Sequence, residues 1–194
     1  MQYFWGFLSF LISFNLYAQV TYQTLPFKDS LREKLSKGVT IIDSQVASEK
    51  NKQQSFHFKL AALHPKSCQI ALRKLSRYET FQKYIDFIDR SSYDEKTKKV
   101  YFRLKSSLLP YTMILQFKFD RISKPGIYHF QFQYGFLKGL KGVVHISQYK
   151  RRCLFYTQAD WQGPDSKIPN MVFEFFTEAL SKILVNKLFA ISRF

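Results

Sequence analysis

The sequence predicts an α+β protein in which a curved antiparallel β-sheet wraps around one long C-terminal α-helix. Three observations carry this. A run of segments with period-two apolar alternation fills the stretch from residue 87 to 161, joined by short turns. A single apolar-striped helical segment follows, from about 170 to 191. The alternation is one-sided, so one sheet face is expected to be covered, and the helix is the only long element available to cover it.

Residues 1–27 carry no charge, and 4–16 are almost all apolar or aromatic. This resembles a secretory signal peptide, with cleavage expected after Ala18. An uncleaved anchor is the alternative, because no Lys or Arg precedes the apolar run and Leu16 stands three residues before the expected cut. The chain is accordingly divided into a signal peptide at 1–18, an extension at 19–29 and one domain at 30–194, and the protein is expected to be exported, periplasmic or secreted.

Ser30 with Glu33 has the spacing of a capping box, and Gly38 provides the stop, which predicts a short helix over 30–37. Val39, Thr40, Ile41 and Ile42 are read as a first strand and 49–54 as a turn. Residues 55–63 form a second strand with Phe56, Phe58 and Leu60 on one face. Pro65 is placed in the first turn of a helix on whose inner side lie Cys68, Ala71, Leu72 and Leu75. A second helical piece spans 78–85, with Phe81 and Ile85 inward.

The meander begins with strands at 87–92 and 100–104, and Pro110 opens the next. There Met113, Leu115, Phe117 and Phe119 share a face opposite Gln116 and Lys118. After the Pro125-Gly126 turn, Tyr128, Phe130, Phe132 and Tyr134 alternate with His129, Gln131 and Gln133. Strands at 142–149 and 153–161 are joined by the basic turn Lys150-Arg151-Arg152. Asn170 is expected to cap the final helix. Its inner stripe is read as Val172, Phe175, Phe176, Ala179, Leu180, Ile183 and Leu184, and its polar face as Glu174, Thr177, Glu178, Ser181 and Lys182.

Composition bounds the function. The chain has 194 residues, 18% of them aromatic, and a net charge of +16, so anionic partners are favoured. No nucleic-acid motif is present, and export argues against such a partner. The two cysteines, Cys68 and Cys153, are read as unpaired structural thiols, although one disulfide is the open alternative. The four histidines have no metal-ligand spacing, and no catalytic residue, metal or cofactor is expected. His129 and His145 are placed on the outer face, and Asp160 in a turn.

The order of elements, and three stretches within it, resemble the START-like family, also called polyketide cyclase-like, which has the helix-grip fold and includes coenzyme-Q-binding proteins. The segment Leu72-Arg73-Lys74-Leu75-Ser76-Arg77-Tyr78-Glu79-Thr80-Phe81-Gln82-Lys83-Tyr84 resembles the family's helix–turn before the meander. Gly135-Phe136-Leu137-Lys138-Gly139-Leu140-Lys141-Gly142 resembles its glycine-marked hairpin, and Ile168-Pro169-Asn170 the entry to its last helix. The resemblance covers about residues 30–191. It implies a cavity between sheet and helix that holds a lipid, sterol, quinone or polyketide-like molecule.

A bent sheet and a straight helix need not pack flush, and a gap lined by apolar side chains suits an apolar guest. The expected liners are Phe102, Met113, Leu115, Phe117, Tyr128, Phe130, Phe132, Tyr156, Phe176 and Ile183. The expectation is therefore non-catalytic binding or transport of a hydrophobic small molecule or lipid by a monomer. Transient contact with an anionic membrane is expected through Lys138, Lys141, Lys150, Arg151 and Arg152. A cyclase or aromatase-type enzyme using the same cavity, and a pocketless protein binding anionic surfaces, are the alternatives.

Overall fold

The computed structural model describes residues 19–49, 52–107, 109 and 111–192. The expected signal segment and Pro110 lie outside the described residues. The elements are α1 (Asp29–Ser36), β1 (Ile41–Glu49), β2 (Gln53–His64), α2 (Cys68–Leu75), a 3-10 turn (Tyr78–Lys83), β3 (Ile88–Asp94), β4 (Lys99–Leu104), β5 (Met113–Phe119), β6 (Gly126–Gly135), β7 (Lys141–Tyr149), β8 (Arg152–Pro164) and α3 (Asn170–Ile191). All described strands join one antiparallel sheet of order β1-β2-β8-β7-β6-β5-β4-β3. After the β1–β2 hairpin the chain crosses through α2 and the 3-10 turn to the far edge. It then walks back strand by strand until β8 pairs with β2.

Period-two alternation sorts the strands into two faces. Val100 and Phe102, Leu115 and Phe117, Phe130 and Phe132, Val144, Ala159 and Phe58 follow one another across the ladder and share the inner face. This face meets α2, the 3-10 turn and α3 to form the main core. Its densest part is aromatic: Phe117 stacks on Phe132 with centroids 4.9 Å apart, and Phe102 meets Phe81 and Phe117 at 5.9 and 5.7 Å.

The other face also carries a core, which the one-sided pattern did not predict. Ile41, Ala61, Leu63, Leu154 and Tyr156 are buried there beneath α1 and residues 19–28, with Leu25 and Leu35 pressed onto them. Tyr22 stacks on Tyr149 at 4.1 Å, and Phe27 meets Tyr156 edge-on at 6.0 Å. The segment expected to be an extension is thus a second packed layer. His145 lies under it, 7% exposed, where its Nδ1 accepts the Val20 N–H at 3.3 Å. Its outer-face placement was expected, but its burial was not.

Local readings are corrected in several places. Ser30 lies inside α1 and makes no capping bond, because the helix begins at Asp29 after Lys28; Gly38 does end it, at φ 90°. β1 runs well past Ile42 into the polar residues 43–49, because an edge strand paired along its whole length to β2 needs only one apolar face. Pro65 precedes α2, whose N-cap is Ser67. Asn170 is the first residue of α3; its side-chain oxygen accepts from Gln54 at 2.8 Å and meets the Ser48 hydroxyl at 3.1 Å instead of capping the helix.

Tyr134 is 59% exposed, although alternation from Tyr128 puts it inward. A β-bulge explains this. Phe132 pairs with Phe117, but Tyr134 pairs with Gln116, so the extra residue turns Tyr134 onto the outer face. Gly135 then adopts φ 97°, and a Cβ there would fall 1.6 Å from the Ile114 carbonyl oxygen, so only glycine fits.

The two cysteines are joined, which overturns the reading of unpaired thiols. Cys68 at the start of α2 and Cys153 at the start of β8 have Cα atoms 4.6 Å apart and form a disulfide across 85 residues of sequence. The crossover sets the start of α2 beside the first residues of β8, a proximity that no local signal encodes. Both residues are buried in the main core.

Thiol titration in denaturant should detect no free thiol until reductant is added, and then two. The Cys68→Ala/Cys153→Ala variant should lose about 2–5 kcal/mol of unfolding free energy, measured by denaturant titration. Desolvation first, and then the charge of His129, hold the His145 pKa below its ordinary 6.5. The folded state therefore binds fewer protons than the unfolded one below pH 6.5, and stability falls as pH drops through the lowered folded value. His145→Gln should flatten that slope, read from urea midpoints between pH 7.5 and 5.

Candidate functional site

α3, about 33 Å long at 1.5 Å per residue, lies along β1 and closes over the inner face. The Glu174 carboxylate accepts the outward-pointing Val46 N–H at 2.7 Å, and the Ser44 hydroxyl donates to Glu178 at 3.3 Å. At the far end the Ser192 hydroxyl lies 3.0 Å from His64 Nε2 and donates to the Leu188 carbonyl at 2.6 Å. This anchoring rotates the helix relative to the predicted stripe. Phe173 is its most buried side chain, against Phe56, Phe136 and Trp161 with centroids 5.1, 5.4 and 6.4 Å away. Val172 and Phe175 are exposed, and Glu174, assigned to the polar face, points to the edge strand.

Where the first three turns of α3 pass over the ends of β4 and β5, they leave a cleft of about 160 Å³. Leu104, Leu109, Met113 and Leu115 form its floor, Phe136, Leu137 and Ile168 its rim, and Phe173, Phe176, Thr177, Leu180 and Ser181 its helical wall. Thr177 and Ser181 are the polar members, and the Thr177 hydroxyl is already bonded to the Phe173 carbonyl at 2.9 Å. Among the described residues, no lining side chain is titratable. Larger depressions lie elsewhere, 580 Å³ between residues 38–42 and the outer side of α3, and 390 Å³ over Lys118, His129, Gln131 and Lys141, but polar and charged groups line both.

Of the expected liners, Met113, Leu115 and Phe176 border the cleft directly. Phe102, Phe117, Phe130, Phe132 and Ile183 pack half-buried on the main core and continue the apolar floor and wall away from it. Tyr128 is on the inner face too, but at the opposite end of the sheet, where its hydroxyl donates to the Lys124 carbonyl at 2.7 Å. Tyr156 is corrected: it sits on the outer face in the second core, because β8 is apolar on both sides and Cys153, Phe155 and Ala159 take the inner face. Of the liners that sequence reasoning missed, Phe173, Thr177, Leu180 and Ser181 are on α3, and Leu104, Leu109, Phe136, Leu137 and Ile168 lie at strand ends and in loops. Alternation gives no direction there; the signal available was their apolarity within otherwise polar connections.

The histidines of the meander and Asp160 do not reach the cleft. His129, His145 and Asp160 are all on the outer face, and Asp160 lies 2.6 Å from His57 Nδ1. Among the described residues, no three His, Cys, Asp or Glu side chains are grouped so as to hold a metal ion. The five cations expected to form one membrane-contact group are divided between the two ends of β7, roughly 27 Å apart at 3.4 Å per residue. Lys138 and Lys141 are at one end, and Lys150, Arg151 and Arg152 at the other. Arg152 is moreover bound to the Ser36 and Leu63 carbonyls at 2.6 and 3.2 Å. Phe136 and Leu137, beside Lys138 in the β6–β7 hairpin, fold into the cleft rim.

No protein-family model and no curated protein matches the sequence. Solved structures do match its fold. The Zhui aromatase/cyclase from a Streptomyces species superposes with a TM-score of 0.58 at 9% identity, covering 71% of this chain and 93% of the other. A START superfamily protein from Mycobacterium smegmatis gives 0.56 at 8% identity, covering 70% and 96%. A conserved protein from Geobacillus kaustophilus gives 0.57 at 13%, covering 70% and 94%. The fold is thus the START-like, polyketide cyclase-like helix-grip fold: a curved antiparallel sheet closed by a long C-terminal helix.

Phe173→Ala should lower the unfolding free energy by about 3–5 kcal/mol, because it empties the contact that seats α3 on the sheet. The same loss should appear as faster amide exchange in α3 than in β7.

Proposed function

We propose that this protein binds an apolar small molecule or lipid-like group in the cleft between α3 and the β4–β5 floor, as a carrier or sensor without chemistry of its own. One observation carries the reading: among the described residues, the cleft is bounded by aliphatic and aromatic side chains with no titratable group and with one of its two hydroxyls already satisfied. Such a space offers water too few partners, so an apolar guest displaces little and gains contact. The likeness to the START superfamily protein and to the aromatase/cyclase supports the reading by fold. The cyclase alternative lacks an acid or base among the liners, and the carrier reading is therefore preferred.

Size limits the guest. A space of about 160 Å³ is close to the cavities that accept a benzene ring. It takes one ring or a short acyl segment as it stands. A longer guest would extend over the half-buried Phe117, Phe130 and Phe132 and lift the first turns of α3.

We further propose that the protein works outside the cytoplasm. Its buried Cys68–Cys153 disulfide suits an oxidising compartment, and its uncharged, apolar N-terminal segment suits export.

Titration with the apolar fluorophore N-phenyl-1-naphthylamine tests the binding reading. Saturable enhancement is expected in the unmodified protein. A loss of at least tenfold in affinity is expected in Leu180→Trp and in the milder Ser181→Leu, which fill the cleft, with no change in Lys59→Ala on the outer face. Equal binding by folded cleft-filled variants would refute the assignment.

A further inference from the structure

We propose that the end of the molecule bearing the cleft docks on an anionic lipid bilayer, with exposed apolar side chains entering the interfacial layer and a ring of lysines meeting the headgroups. The proposal rests on the binding reading above and deepens it, because it names the phase from which an apolar guest enters.

The sheet topology brings four connections to one end: the β1–β2 turn, the β4–β5 connection, the β6–β7 hairpin and the β8–α3 loop. The cleft lies at this end, since its liners come from the ends of β4 and β5, from these connections and from the start of α3. Four of the eight large apolar or aromatic side chains that are exposed among the described residues lie there: Tyr111, Tyr134, Met171 and Val172. Met171 is 80% exposed. Val39 and Phe175 border the depression between residues 38–42 and the outer side of α3, and Ile70 and Tyr84 are scattered. Exposed apolar groups gathered at the end of the molecule that bears an apolar cleft are stabilised by burial in an apolar phase.

Charge fits the same partner. Lys52, Lys105, Lys138 and Lys167 are exposed around these residues, and Asp165 is paired with Lys167 at 3.6 Å. Charge alone does not select this end, because Lys96, Lys124, Lys150 and Arg151 are exposed at the opposite one. The coincidence of lysines with exposed apolar groups and the cleft does select it, and it favours a bilayer over a soluble polyanion, which has no apolar phase to offer. A cation beside an anionic bilayer strengthens binding by about fivefold.

Co-sedimentation of the full-length protein with vesicles of phosphatidylglycerol and phosphatidylcholine tests this, with pure phosphatidylcholine as reference. Binding to the anionic vesicles is expected. It should fall by on the order of a hundredfold in Lys105→Glu/Lys138→Glu/Lys167→Glu and severalfold in Met171→Ser/Val172→Ser. The charge-matched control Lys96→Glu/Lys124→Glu/Lys150→Glu at the opposite end should lose far less. Equal loss in the two charge-reversed variants, no effect of the apolar substitutions, or no binding at all would overturn the proposal. So would competition by soluble polyphosphate that abolishes binding regardless of the apolar residues, which would mark a polyanion surface. Fluorophore binding without vesicles reports on the cleft separately: if it persists while vesicle binding fails, docking falls and the carrier reading stands.

Discussion

The seat of α3 on the sheet governs the rest of the structure. Phe173 enters the inner face between Phe56, Phe136 and Trp161, while the adjacent Glu174 takes the free amide of Val46 on the edge strand. Together they fix the rotation of the helix and its height above the sheet. An edge amide left open would invite another strand, so the carboxylate covers the edge at the point where it positions the helix. At the other end, His64 and Ser192 hold the last turn. A helix pinned at both ends over a twisted sheet cannot follow the sheet's curvature between them, and the cleft is the part of that mismatch left unfilled.

The opposite face has a different logic. In most of the sheet it is polar and solvated, with Lys59, Lys118, Gln131 and Lys141 outward. Around β2, β7 and β8 it is apolar, and α1 with residues 19–28 covers it. The central strands are therefore buried on both sides. The disulfide joins the crossover helix to one of these strands, so it ties the inner layer to the most deeply covered part of the sheet.

This double burial explains where sequence reading failed. In β8, Leu154 and Tyr156 are as apolar as Cys153 and Phe155, so alternation gave the period but not which phase faces the helix. In α3 the run Met171, Val172, Phe173, Glu174, Phe175, Phe176 is apolar nearly all round, and a 3.6-residue period allows more than one stripe. The rotation was decided by Glu174 finding an edge amide, a partner 128 residues away. The bulge that turns Tyr134 outward is a property of the pairing between β5 and β6, not of β6 alone.

Local periodicity is enough to give the α+β class, the succession of elements and the inward face of β5 and most of β6, because alternation and helical repeats are short-range and those strands have one covered side. It also supplied Met113, Leu115 and Phe176 as walls of a space under the last helix. Tertiary structure alone decided the Cys68–Cys153 pairing, the second core over Tyr156, the rotation of α3 and the loop residues that complete the cleft. Each of these depends on which distant segments come to lie side by side, and local periodicity carries no information about that.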